Sequence, residues 1–279
     1  MSDTTPTPNA APTPAKPGDK QLYAKNVQHD FIWKLRLTHP DRAEVRLEWK
    51  GRPIVIDPVE VLPGDLVLLT SASPDRIRGT AAAVVKGDRP DVVADPAVLE
   101  WLKRQGPLGA ESASEGVVAG VRFRSMPYTP VPEARPASYF LKASIGALRP
   151  RATLGGIRER ASLPEAQPRA WELTLPEVGR LLHLDLALHR QTPAAWVDAM
   201  QDFYGADWVI VGCAWGENDG VYQHVAAFKP KQLLVTELVN GERRARGLPC
   251  EGVTLLRDRL HEAGESAHVF ATQASYRFE

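Results

Sequence analysis

From about Asp41 the chain is patterned as short apolar runs of strand length, separated by turns and helical stretches. Val45, Leu47 and Trp49 alternate with Arg46 and Glu48, the period-two signature of a half-buried strand. Lys50-Gly51-Arg52 turns the chain into a second strand over 53–57. The run 65–70 is apolar between its ends, which predicts a strand covered on both faces. It ends at a polar loop, 71–78, followed by an alanine-rich helix over 79–86, a strand over 91–94, and a helix over 96–105. Val98, Leu99 and Leu102 share one side of that last helix, with Pro96 at its start and Gly106 at its end. Strand character returns over 117–126 and continues over 137–145.

The second half repeats the alternation, with strands predicted at 171–175, 180–184, 207–212, 232–236 and 268–271. Between them lie helices at 193–204, around 221–228 and at 251–262. In the first of these, Trp196, Met200 and Phe203 fall at i, i+4 and i+7, a core stripe. Two similar halves, each a β region followed by βα alternation, are expected to stack as paired sheets.

The flanks carry different signals. Residues 1–20 hold five prolines and almost no large apolar side chain. A disordered Pro-rich tail over 1–25 is therefore expected, ahead of one domain over 26–279, because ordering it would cost backbone entropy for little burial. The segment 147–169 has five arginines against two glutamates, with three prolines and Gly155-Gly156, and reads as an inserted basic loop. With 34 Lys+Arg against 34 Asp+Glu the whole molecule has no field to attract polynucleotides or an anionic membrane. No stretch approaches about eighteen uninterrupted apolar residues, so export and membrane spanning are disfavoured and a cytoplasmic protein is expected. The two cysteines, Cys213 and Cys250, are too few for a disulfide framework and read as free thiols. Cys213, directly after a strand, is expected to be buried and inert.

The order of these pieces resembles the metallo-β-lactamase superfamily, in particular its lactonase-like branch. The resemblance rests on the run from Val45 to Pro58, on Gly64-Asp65-Leu66-Val67-Leu68-Leu69-Thr70 with the loop to Asp75, on Leu181-Leu182-His183-Leu184-Asp185, and on Phe228 to Val235. It spans roughly residues 41–275 and implies an α/β protein, a four-layer αββα sandwich. It also implies a Thr-His-x-His-x-Asp-His loop whose side chains hold two metal ions and activate water. Here that loop reads Thr70-Ser71-Ala72-Ser73-Pro74-Asp75-Arg76. Serines are poor ligands for such ions, and a guanidinium, permanently protonated, is none. The next ligand histidine is replaced by Tyr128, the bridging aspartate is met by Asp185 one position early, and the last histidine aligns with Glu237.

The resemblance therefore predicts a vestigial pocket of Ser71, Ser73, Asp75, Arg76, Asp185 and Glu237, with no resident metal or other cofactor and no confident catalytic residue. The function expected is that of a binding or scaffold module with a protein or small-molecule partner, homo-oligomerisation being left open. Rival readings are a hydrolase with a rearranged site, using a hard cation on Asp75, Asp185 and Glu237 or using Asp75 or Glu237 as general base, a metal-dependent hydrolase of the metallo-β-lactamase superfamily, and a platform whose working parts are the tail and the basic loop. His183 is expected to be a structural strand histidine and Asp57 a structural turn carboxylate. Arg76 and Arg42 are expected to replace the lost metal charge by pairing with Asp75 and Glu237. Removal of residues 1–20 should leave the melting temperature unchanged, since little apolar area could contribute at about 25 cal/mol per Å²; a scanning thermal melt of the truncated chain checks this.

Overall fold

The computed structural model describes residues 35–39, 44–49, 52–118, 120–130, 162–213, 218–236, 252–270 and 274–278. These form two seven-stranded sheets. In the first, β1 (Leu35–His39), β2 (Val45–Trp49) and β3 (Arg52–Ile56) run antiparallel, and β4 (Leu66–Leu68), β5 (Asp91–Val93) and β6 (Glu111–Ser112) follow β3 in parallel. The second sheet has the same plan. Its strands β7 (Glu115–Val118), β8 (Val121–Pro127), β9 (Arg169–Leu175) and β10 (Gly179–Asp185) are antiparallel, and β11 (Trp208–Gly212), β12 (Gln232–Thr236) and β13 (Ala267–Phe270) continue parallel to β10. A last strand, β14 (Ala274–Phe278), crosses back to pair with β1.

Alternating side chains divide three cores. Val45, Leu47, Ile54, Ile56, Leu66 and Leu68 face Phe123, Trp171, Leu173, Leu181 and Ile210 between the sheets. The neighbours Val67 and Leu69 point the other way, beneath helices α1 (Pro74–Lys86) and α2 (Pro96–Lys103). On the far side, Leu182, Val209, Val211, Leu233 and Val235 pack under α3 (Ala194–Ala199), α4 (Asp219–His224) and α5 (Val253–Glu262). The result is the four-layer αββα sandwich expected. It also explains why the central parallel strands read as uniformly apolar, since both of their faces are buried.

Three predicted elements differ. The first helix begins at Pro74, not Gly79: proline pre-sets the first helical φ, Ser73 before it is extended, and Arg76 and Ile77 continue the buried face through what had read as a polar loop. The predicted strand 117–126 is a hairpin, β7 and β8, broken before Gly120, whose φ of +82° suits a turn that other residues adopt with strain. The predicted last strand is followed by β14, and β1 precedes the first; both join one side of the first sheet, which so gains two strands there beyond the pattern. The predicted strand 137–145, residues 1–25 and most of the loop 147–169 lie outside the described residues. No helix among the described residues is long and apolar enough to cross a membrane.

Helix α1 is seated by a glycine. A Cβ at Gly79 would come within 2.1 Å of the Pro58 carbonyl oxygen and 2.6 Å of that of Val59. This contact lets the helix lie directly on the turn after β3, one helical turn from Arg76. Gly79→Ala should therefore destabilise the fold by about 3 kcal/mol or more, because backbone rather than a movable side chain blocks the added methyl; urea unfolding of the variant measures it.

Candidate functional site

The two sheets change from antiparallel to parallel at β3 and at β10, and each of these strands ends in an aspartate. Asp57 directly follows β3 and Asp185 closes β10. Both have left-handed backbones, with φ of +49° and +48°. Aspartate is among the few non-glycine residues that tolerate this conformation. Such switch points, at the carboxyl ends of strands, are where α/β sheets leave a crevice. Here the crevice is filled by Arg76, from the first turn of α1.

Arg76 is 3% exposed, Asp57 0% and Asp185 4%. The guanidinium donates from Nη1 to Asp57 Oδ2 at 2.6 Å and from Nη2 to Asp185 Oδ1 at 3.2 Å. The remaining oxygens are also served. Asp57 Oδ1 accepts the Thr70 N–H at 2.8 Å, its Oδ2 accepts the Thr70 hydroxyl at 2.6 Å, and Asp185 Oδ2 accepts the Tyr128 hydroxyl at 2.7 Å. Tyr128 is held in turn by its backbone. Its N–H donates to the Pro168 carbonyl at 2.9 Å, the Pro127 carbonyl accepts the Trp196 indole N–H at 2.7 Å, and the Thr129 carbonyl lies 2.9 Å from His189 Nε2. Because His189 Nδ1 accepts the Gln191 N–H, Nε2 is the ring nitrogen that carries a proton to donate.

One cation shared by two buried carboxylates pushes their acidities apart. Burial pushes the Asp57 carboxyl up to about 6, with the like charge of Asp185 adding to the rise and Arg76 and the Thr70 bonds opposing it. Burial also works against ionised Asp185, but there Arg76, His183 and the Tyr128 hydrogen bond outweigh it and hold the carboxyl below its usual value. Burial first, then the adjacent Asp185, raises Tyr128 well above the ordinary phenol range, so the hydroxyl stays a donor.

Further contacts join the sheets around this centre. The Trp171 indole N–H donates to the Leu69 carbonyl at 3.0 Å and the Arg169 N–H to the Thr70 carbonyl at 2.7 Å. The Arg169 guanidinium reaches from β9 to Asp95, which caps α2. Arg76 and Arg169 thus cross between the halves in opposite directions.

The sequence matches no family model and no curated protein. Solved structures, however, are similar over nearly the whole chain. A metallo hydrolase from the archaeon Ignicoccus hospitalis aligns with a TM-score of 0.59 at 13% identity, covering 88% of this chain and 98% of that one. An isothiocyanate hydrolase from Delia radicum gut bacteria aligns at 0.55 and 12%, covering 88% and 99%. A metallo-β-lactamase fold protein from Bacillus subtilis aligns at 0.54 and 11%, covering 87% and 98%. This chain has the metallo-β-lactamase fold.

Within the metallo-β-lactamase fold, the predicted pocket residues are only partly brought together. Arg76 and Asp185 meet at the centre. Ser71 and Ser73 lie beside it and bond to each other, with Oγ atoms 3.3 Å apart, at the half-buried start of α1. Asp75, in the first turn of α1, is half-buried. Glu237 and Arg42 lie outside the described residues. Of the partners expected for Arg76, Glu237 lies outside the described residues, and among those described its bonds at the centre go to Asp57 and Asp185 in place of Asp75. The reason is geometric, since the next residue along a helix points about 100° away, whereas Asp57 lies under the buried face of α1.

Asp57 and Tyr128 are the residues whose part in the centre was missed. A signal existed, because Asp57 and Asp185 end corresponding strands of two similar halves. Cys213 is buried, as expected, with Asn218 Nδ2 at 3.4 Å from its sulfur.

The donor set does not fit the metal ions that the fold family implies. Each oxygen of Asp57 and Asp185 already accepts from an N–H or O–H, the intervening space holds a cation that cannot ligate, and no group of three His, Cys, Asp or Glu suited to a metal occurs among the described residues. The arrangement can bind charge and fix geometry, with both carboxylates buried.

The acidities imply a pH dependence. Asp57 ionises at about 6 in the folded chain against 3.8 ordinarily, so the folded state binds more protons between these values. Its contribution to stability is full below the unfolded value and lost as pH rises through about 6. Asp185, held low, contributes in the opposite sense: its stabilisation is present above the ordinary carboxylate value and lost as pH falls. Urea unfolding from pH 4 to 7 should show Asp57→Asn gaining on the wild type by on the order of 2–3 kcal/mol as pH rises, whereas a constant difference would place no titration at Asp57.

Proposed function

We propose that the chain is a metal-free, non-catalytic protein of the metallo-β-lactamase fold that acts as a binding or scaffold module. The observation that carries this reading is the buried Arg76 guanidinium, which stands in a position the resemblance gives to a ligand histidine and bridges Asp57 and Asp185. A hydrolase of this fold needs an ion or an accessible base beside its substrate. Here the convergent carboxylates are covered, hydrogen-bonded and neutralised from within the chain. The architecture has no need of the chemistry, because a fold is a platform onto which a site is grafted. The solved neighbours named as hydrolases support a common architecture, and at such low identity their activities remain their own.

The test is direct. Protein purified without chelator should contain substoichiometric zinc, iron and manganese by elemental analysis, and should not turn over lactone, thioester or β-lactam substrates. One or more metal ions per chain, lost in Asp185→Asn together with measurable hydrolysis, would reverse the reading and return the protein to the metal-dependent hydrolases of this fold.

A further inference from the structure

Asp57 and Asp185 pose a charge problem at one point. They belong to different sheets, end the strands at which each sheet changes direction, share the same left-handed backbone and are excluded from solvent. Two carboxylates so placed repel one another unless a cation lies between them. Arg76 solves this with shape as well as charge, one terminal nitrogen to each aspartate. A guanidinium is planar, remains charged and is less strongly hydrated than an ammonium, which suits a dry two-sided slot. Its stem comes from α1, whose seat on the turn after Asp57 depends on Gly79.

We propose, resting on the metal-free reading above, that the Arg76 guanidinium is the structural cation of this chain: a tethered charge that clamps the two sheets together at their switch points, in a slot whose shape recognises guanidinium and not a metal ion. The clamp has three parts. Asp57, fixed by Thr70, is the jaw on the first sheet; Asp185, fixed by Tyr128, is the jaw on the second; Arg76 is the pin. Tyr128 and Thr70 give the slot its preference. Their N–H and O–H groups point at the carboxylate oxygens and leave, for each aspartate, an edge that meets a planar N–H donor. His183, on β10, also acts on Asp185.

If the pin is a cation in a shaped slot, the slot should accept a free one. Arg76→Ala should lower the melting temperature by about 10 °C, as loss of one partner from a buried ion pair does. Guanidinium or methylguanidinium chloride, well below denaturing concentration, should then restore a few degrees saturably by binding the folded variant, with half the effect below about 50 mM. The same salt should leave the wild type unmoved, and matched sodium chloride or zinc should not rescue the variant. An Arg76→Ala protein as stable as the wild type, or one rescued by zinc and not by guanidinium, would overturn the proposal. Should Arg76→Ala fail to fold, Arg76→Lys supplies the comparison. It keeps the charge but cannot span both jaws, so it should melt several degrees low, and wild-type stability in Arg76→Lys would show that shape is irrelevant. Metal content of the wild type separates the two conclusions: a metal-loaded wild type defeats the functional reading, whereas a metal-free wild type whose variant ignores guanidinium defeats this inference alone.

Discussion

A single guanidinium held between two buried carboxylates is the interaction on which the centre of this protein depends. Removing three charges from water is expensive, and their mutual attraction offsets that only where geometry is good and the leftover hydrogen-bonding capacity is filled. Both conditions hold here, and each requires further structure. Asp57 needs the left-handed turn after β3 and the Thr70 backbone beside it. Arg76 needs α1 close against that turn, and Asp185 needs Tyr128. Tyr128 in turn needs a segment pinned by Pro168, Trp196 and His189. The polar residues buried around the crevice thus form a connected set, in keeping with the rule that a buried network is tolerable when its members are satisfied.

On the proposed reading, the centre keeps the framework of the fold while the chemistry within it differs. Both halves bring an acidic residue to the same topological point, so the sandwich by its nature gathers negative charge at one edge. Something positive has to be there. A chain can recruit that charge from solution or encode it, and here an arginine at the start of α1 encodes it. An arginine where the resemblance gives a ligand histidine would, on the proposed reading, both leave out a ligand and supply the charge.

Much of the fold was legible because the buried parallel strands are apolar on both faces: 65–70, 207–212 and 232–236 announced themselves, and with them the layered sandwich. The N-terminal turns of α1 were hidden, since Ser71 to Arg78 looks polar and a buried arginine cannot be told from an exposed one by its letter alone. Strands β1, β6 and β14 were missed because they are short or weakly patterned. At the centre, the resemblance identified the substitutions at Ser71, Ser73, Arg76 and Tyr128, yet did not bring Asp57 or Asp185 to Arg76. Pairing is a property of which strand ends meet, and Asp57 lies nineteen residues from Arg76 and Asp185 a hundred and nine. Those separations are closed only by tertiary structure.

The pairing of β14 with β1 has a consequence for how the chain is made. In the register Leu35 to Phe278 and His39 to Ala274, the first and last described strands pair at one side of the first sheet. During synthesis β1 to β6 emerge well before β14, the strand that covers the free edge of β1. Until then β1 presents an open ladder of backbone donors and acceptors, the kind of edge on which chains associate wrongly. The first sheet must therefore wait, with the margin at β1 bare, for a closing strand that translation delivers only after the strands of the second sheet.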